Sequence, residues 1–345
     1  MAHSLTKALL LAASGCAVVG VGRAFWRRRN PYDFTDKVVL ITGGSRGLGL
    51  LLARELASVG ARVAICARDE AELARVQHEF APLPVELLTL MCDVTDPEQV
   101  EQMVRTVEEQ WGGVDVLINN AGRIQVGPAE TMTLADYEDA MQIHFWAPLY
   151  TLGAVLPGMR GRRAGRIVNI TSIGGKISAP HLLPYNASKF ALVGLSEGLG
   201  AELAKDGIKV TTVCPGLMRT GSPRHAEFKG QHRAEYAWFS IADSIPGLSM
   251  DARRAARQIV DACRYGQAEV VLSLPAQLAT LIHGILPGLT TETLSLVNRL
   301  LPGANGHPDR LYKGSDSQSR WSPSWLTHLT DEAARRNNEL GGEAS

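Results

Sequence analysis

From Lys37 onward the chain alternates two kinds of hydrophobic pattern. Short apolar runs at VVLIT (38–42), ARVAICA (61–67), VELLTLMCDV (85–94), VDVLINNAG (114–122), RIVNITS (166–172), IKVTTVCPG (208–216) and AEVVLSL (268–274) predict seven strands. Runs that are apolar on both faces belong to strands covered on both sides. Between them lie segments of helical periodicity: 48–59, Asp69 to Phe80, a helix opened by Asp96-Pro97 and ending near Trp111, a stretch at 133–158, and one from Pro184 to Gly207. This alternation predicts an α/β fold, a doubly wound seven-stranded parallel sheet over residues 36–274, with ligands at the carboxyl ends of its strands.

The two ends follow other patterns. Residues 8–22 carry no charge, and the apolar character continues through Phe25 and Trp26 to Arg27, Arg28 and Arg29. Leu5 to Trp26 reaches the ~20 residues of a spanning helix if the stems of Lys7 and Arg23 snorkel. The pattern predicts an uncleaved membrane anchor over residues 1–30 with the catalytic domain facing the cytosol, since the arginines follow the apolar run. A cleaved signal would place them before it, ASGC at 13–16 follows too short a run for a lipoprotein site, and a surface helix would need a polar face. A linker then runs to Asp36. Beyond the last strand, Leu278, Leu281, Ile282, Ile285, Leu286 and Leu289, and after them Leu294, Val297, Leu300 and Leu301, predict two amphipathic helices within 275–302. They would pack on the domain, on a second subunit or on the membrane. Residues 303–345, rich in Gly, Ser, Asn and charge, predict a loosely ordered polar tail.

Composition narrows the function classes. Lys plus Arg and Asp plus Glu both number 35, and a balanced charge argues against a nucleic-acid partner. The five cysteines (Cys16, Cys66, Cys92, Cys214, Cys263) are widely spaced with no CxxC pair, so neither a disulfide framework nor a metal site is indicated.

TGGSRGLG (42–49) follows a strand and opens a helix. Gly43, Gly47 and Gly49 leave out side chains where Ser45, Arg46, Leu48 and the helix N-terminus would approach a pyrophosphate. At the end of the second strand an acidic residue would hold the ribose hydroxyls of NAD; Ala67 and Arg68 stand there instead. Arg46 and Arg68 suit a 2′-phosphate, so NADP(H) is favoured over NAD(H). Asp93 and Val94 end the third strand beside the adenine, and Asn119, Ala121 and Gly122 close the floor.

Tyr185 and Lys189 lie one helical turn apart on one face. A phenol is a poor proton carrier at neutral pH unless a neighbouring ammonium favours its phenolate. Ser172, at a strand end, can orient the substrate oxygen.

As a set, TGGSRGLG, NNAG (119–122), the serine of NITS (169–172), YNASK (185–189) and PG (215–216) resemble the short-chain dehydrogenase/reductase family over about residues 36–274. The resemblance implies a Rossmann fold with strand order 3-2-1-4-5-6-7, Tyr185 as acid/base, Lys189 as its activator and nicotinamide-ribose ligand, and Ser172 as substrate orienter. Pro215, Gly216 and Thr220 would join the cofactor site, and a homo-oligomer is expected. Where the family usually has an asparagine completing a proton relay, this chain has His144, whose carbonyl or imidazole could serve; the alternative is a packed polar residue with altered kinetics. Residues 217–250 match the substrate lid, and Leu217, Met218, Phe228, Tyr236, Trp238, Phe239 and Ile241 predict an apolar pocket for a lipid-, steroid- or retinoid-like ketone or alcohol. The alternative is a protein that binds cofactor without turnover.

Overall fold

Seven parallel strands form the central sheet: β1 (Val38–Thr42), β2 (Arg62–Ala67), β3 (Leu87–Met91), β4 (Val116–Asn119), β5 (Gly165–Ile170), β6 (Ile208–Pro215) and β7 (Glu269–Leu272). The computed structural model describes residues 31–305, 307–319, 321–324 and 327–339; the segment read as a membrane anchor, with Cys16, lies outside them. The strand order is β3-β2-β1-β4-β5-β6-β7, as the family resemblance implies, and the register sets Val39 of β1 beside Val63 and Val116.

The period of two along each strand divides the core between two layers. Val39, Ile41, Val63 and Ile65 face α1 (Gly47–Ser58) and α8 (Ala252–Arg264), meeting Leu52, Leu56 and Ile259. Leu40, Ala64 and Leu117 face the other way, onto Met103 and Val107 of α3 (Pro97–Trp111) and Leu152 and Val155 of α5 (Ala147–Arg162). Each large side chain so buried contributes about 1.5–3 kcal/mol. The helices between begin and end where local chemistry requires it. In α3 the Asp96 carboxylate accepts from the amides of Glu98 and Gln99, Pro97 fills the first turn, and Gly112 closes the helix at φ 83°. The expected long helix at 133–158 is instead α4 (Leu134–Met141), a π-helical turn at Gln142–Trp146, and α5. The catalytic helix α6 (Leu183–Glu202) stands between α2 (Glu70–Phe80) and the lid helix α7 (His232–Ser244) in chain order.

Two expectations need correction. Residues 31–36 are not a linker: Tyr32 donates its amide to the Arg264 carbonyl at 3.1 Å, and Phe34 is fully buried in the first core layer. Nor are residues 303–345 a loose tail throughout. His307–Lys313 adds a strand to Glu227–Gly230, which also pairs with Gln125–Val126, and α11 (His328–Arg336) packs against α7. Thr330 and Ala334 are the buried positions of α11, small enough for close approach. A Cβ at Gly221, where φ is 115°, would lie 2.6 Å from Ala334 Cβ. The polar composition hid this because the contacts are made by small and hydrogen-bonding side chains, such as Thr330 against Ser244 at 2.5 Å.

The amphipathic helices are present as α9 (Leu274–Ile285) and α10 (Pro287–Asn298). They pack on each other and leave the body: Ala276 is the buried residue of α9, and α10 has none. Among the described residues no helix is long and apolar enough to cross a membrane.

Candidate active site

The glycine loop is shaped by contacts that exclude side chains. A Cβ at Gly49 would fall 2.0 Å from the Gly43 carbonyl oxygen, and one at Gly43 (φ 65°) 2.9 Å from Ala121 Cα. Only glycines let the β1 and β4 ends come this close to the first turn of α1, an end of a helix whose amides suit an anion. Thr42 ties the two ends together, its hydroxyl accepting from the amides of Asn120 and Ala121 at 3.0 Å. The Asn120 side chain donates to the carbonyls of Thr42 and Gly43. This cradle fits a dinucleotide pyrophosphate.

Other residues expected at the cofactor are placed less uniformly. Ser45 and Arg46 both bond to Glu72 of α2 at 2.6 Å, so Arg46 already has a carboxylate partner. Arg68 is exposed at the end of β2 and lies 3.7 Å from Asp93. The Asp93 carboxylate also caps Thr95, which, with Arg68, holds it below the usual carboxylate range against the opposing effect of burial. Leu48 and Val94 are buried. Asn119 is turned into the sheet, bonding Asn169 and Thr151, so its side chain supports the site from behind. Gly122 faces His144, and Gly216 packs against Ser273. Thr220 bonds Ser222, while Pro215 ends β6.

Ser172, Tyr185 and Lys189 converge. An atom placed at the Cβ of Gly174 would lie 3.2 Å from Tyr185 Cε1 and 3.4 Å from Ser172 Oγ. Lys189 Nζ sits 5.7 Å from the Tyr185 ring centroid and donates to the Ile170 carbonyl at 3.0 Å. Burial raises the Tyr185 phenol to about 12, with the Ser172 hydroxyl acting in the opposite sense and Asp243 adding to the rise. Burial also lowers the Lys189 ammonium to about 7. The tyrosine is thus held protonated at neutral pH, able to give its proton to a carbonyl oxygen that Ser172 orients.

His144 lies in the π-helical turn. Its Nε2 accepts from the Arg123 amide at 3.2 Å, so Nδ1 carries the proton and donates to Ser188 Oγ at 2.8 Å; Ser188 in turn donates to the Tyr185 carbonyl. Burial first, then Lys189 and Arg123, hold this imidazole well below its ordinary pKa. It is neutral, with both nitrogens engaged, and its ring meets Tyr185 edge-on at 5.3 Å. The imidazole braces the catalytic helix in this arrangement. Neither Ser188 nor Asn120 stood out in the sequence, although both lie inside the motifs YNASK and NNAG.

The lid departs from expectation. Phe228, Tyr236 and Phe239 are buried against one another and Val126 in a small core of their own. They hold the lid together and do not line an open apolar pocket. A cavity of about 10 Å³ beside Tyr185, with room for a water, is lined by Arg123, Gln125, Asp136, Asp139, Ala140 and Ile143, most of them polar.

This glycine cradle, with Ser172, Tyr185 and the buried Lys189 gathered at the carboxyl ends of a β3-β2-β1-β4-β5-β6-β7 sheet, agrees with the family comparison, in which short chain dehydrogenase matches residues 37–228. The chain belongs to the short-chain dehydrogenase/reductase family. It is an oxidoreductase of carbonyl/alcohol pairs. The granaticin polyketide synthase putative ketoacyl reductase 1 of Streptomyces violaceoruber is 42% identical over 194 residues, 55% of this chain and 71% of that one. Oxidoreductase BOA17 of Botryotinia fuckeliana is 31% identical over 250 residues, 72% and 84% of the two chains. Among solved structures, a short-chain dehydrogenase from Streptomyces avermitilis (33% identity, TM-score 0.66) covers 76% of this chain and 98% of its own. A gluconate 5-dehydrogenase from Burkholderia cenocepacia in complex with NADP and tartrate (25% identity, TM-score 0.64) covers 72% and 98%.

Proposed function

We propose that this short-chain dehydrogenase is an NADP(H)-dependent enzyme for a ketone or aldehyde with an apolar body, working at a membrane surface on the cytosolic side. The observation that carries the reaction is the convergence of Ser172, Tyr185 and Lys189 at the mouth of the glycine cradle. When bound, the dinucleotide supplies or receives hydride. Tyr185 supplies or receives the proton, Ser172 holds the oxygen, and Lys189 stands beside the phenol, anchored to the Ile170 carbonyl.

Cofactor choice is supported by the end of β2, where Ala67 and Arg68 offer no carboxylate to ribose hydroxyls and one exposed guanidinium to a phosphate. The NADP of the related gluconate 5-dehydrogenase accords with this reading. Substrate class is supported from two sides. A carbonyl with a neighbouring polar group accords with the polar side chains of Arg123 and Asp139 beside Tyr185 and with the ketoacyl reductases named among the relatives. The apolar α9–α10 hairpin suits delivery from a lipid phase.

The test is NADPH oxidation by full-length protein with a panel of long-chain ketones and 3-ketoacyl compounds, set beside Tyr185→Phe. We expect turnover that the substitution abolishes. Tight dinucleotide binding with no turnover on any compound would favour the reading as a binding protein.

A further inference from the structure

The last described residues lie against the phosphate-binding end of the glycine loop. The amide of Gly47, the first residue of α1, donates to the Asn337 carbonyl at 2.9 Å. The Asn338 side chain donates to the Ser45 carbonyl at 2.8 Å and accepts from Arg75 Nε at 2.7 Å. A Cβ added at Gly47 would lie 2.9 Å from Glu339 Oε1, which places that carboxyl over the glycine itself. Glu339 is buried, and this oxygen has no hydrogen-bond partner.

We infer that Asn337–Glu339 is a built-in competitor of the dinucleotide, holding the phosphate end of the loop and leaving when cofactor binds. The inference rests on the reading of TGGSRGLG as the dinucleotide loop. A first-turn amide is one of the donors a helix offers to an anion, and Gly47 cannot give the same N–H to Asn337 and to a phosphate oxygen. The segment mimics the ligand by bringing an acceptor carbonyl and then a carboxyl to an anion-binding end. It does so imperfectly, because a buried polar atom without a partner costs about 1–3 kcal/mol. That defect makes the contact displaceable by a ligand that satisfies the loop better.

The imperfection is sensitive to pH. Burial raises the Glu339 carboxyl from 4.5 to about 8; Arg46 opposes the rise, Glu72 adds to it, Arg224 opposes it and Asp243 adds to it. His225, the other titratable neighbour, bonds the Glu339 carbonyl and is itself lowered to about 4, so it is neutral over the relevant range. The docked segment therefore binds a proton that the released segment gives up, and docking weakens as pH rises from 4.5 toward 8.

Fluorescence titration of the full-length protein with NADPH, and separately NADH, tests this. Asn338→Ala should tighten dinucleotide binding about fivefold, the worth of roughly one net hydrogen bond. Amide exchange of residues 327–339 in the wild type should accelerate when dinucleotide saturates the site. Wild-type binding should tighten between pH 5.5 and 8, and Glu339→Gln should flatten that dependence. Unchanged or weaker binding by Asn338→Ala, or slower exchange with dinucleotide present, would overturn the inference and leave the cofactor reading intact. No binding of either dinucleotide to either protein would overturn both.

Discussion

Tyr185 and Lys189 are shifted in opposite directions by the same cause. Burial penalises whichever form is charged, so the phenol rises to about 12 and the ammonium falls to about 7. For Tyr185→Phe, kcat should fall by about 10²–10⁴ with dinucleotide affinity unchanged, measured by single-turnover kinetics and titration. For Lys189 the folded value lies below the ordinary 10.5. Between those two pH values the unfolded chain holds a proton that the folded chain has lost, so this residue makes stability rise with pH. Lys189→Met should therefore raise Tm by about 3 °C or more at pH 6.5 and by much less near pH 10, as calorimetry would show, while abolishing turnover. The two arginines read together in the sequence are separated by their partners: Arg46 sits 2.6 Å from Glu72, Arg68 only within 3.7 Å of Asp93. A phosphate would meet Arg68 more freely. Arg68→Ala should weaken NADPH binding about three- to tenfold and leave NADH nearly unchanged, a comparison that fails if both respond alike. The catalytic trio was legible because its residues lie in short motifs. The Glu72 contact was not, since it depends on how α2 folds back over the loop.

At the scale of elements, strands and most helices follow from apolar period, and their order needs only the family resemblance. What the period does not encode is the break in the helix ahead of β5. The π-helical turn at Gln142–Trp146 carries His144 to where its Nε2 meets the Arg123 amide and its Nδ1 meets Ser188. An uninterrupted helical ladder would rotate the imidazole away from both. His144→Leu leaves those two groups without their partner in a buried site, which costs about 1–3 kcal/mol and should appear as a lowered Tm. Because the wild-type imidazole is already neutral, the kcat–pH profile of the parent enzyme should show no inflection near 6.5 from this residue. The lid gave a second lesson. Phe228, Tyr236 and Phe239 read as pocket lining because they are aromatic and near the site, but a short lid needs its own core before it can cover anything.

For the whole molecule the question is what covers α9 and α10. Leu274, Leu281, Ile285 and Leu300 are each 60–86% exposed, on a hairpin that touches the body mainly at its base. Between residues 270 and 303 the sequence carries two charged side chains, Glu292 and Arg299. Such a surface is rarely left to water. The chain enters the domain without slack, since Tyr32 is gripped by the Arg264 carbonyl and stacked under Arg166 at 4.2 Å. If residues 1–30 hold the membrane, the folded body therefore lies within a few residues of it, and the hairpin is the apolar surface it has to offer. Full-length protein should sediment with lipid vesicles. Removal of residues 1–30 should leave a weaker binding that depends on the hairpin. Leu281→Glu with Ile285→Glu in the shortened protein should then cut partitioning by about two orders of magnitude, since two such side chains contribute roughly 1.5 kcal/mol or more each on burial. A shortened protein that ignores vesicles, but sediments as a dimer which the two glutamates split, would assign the hairpin to a second copy of the chain instead.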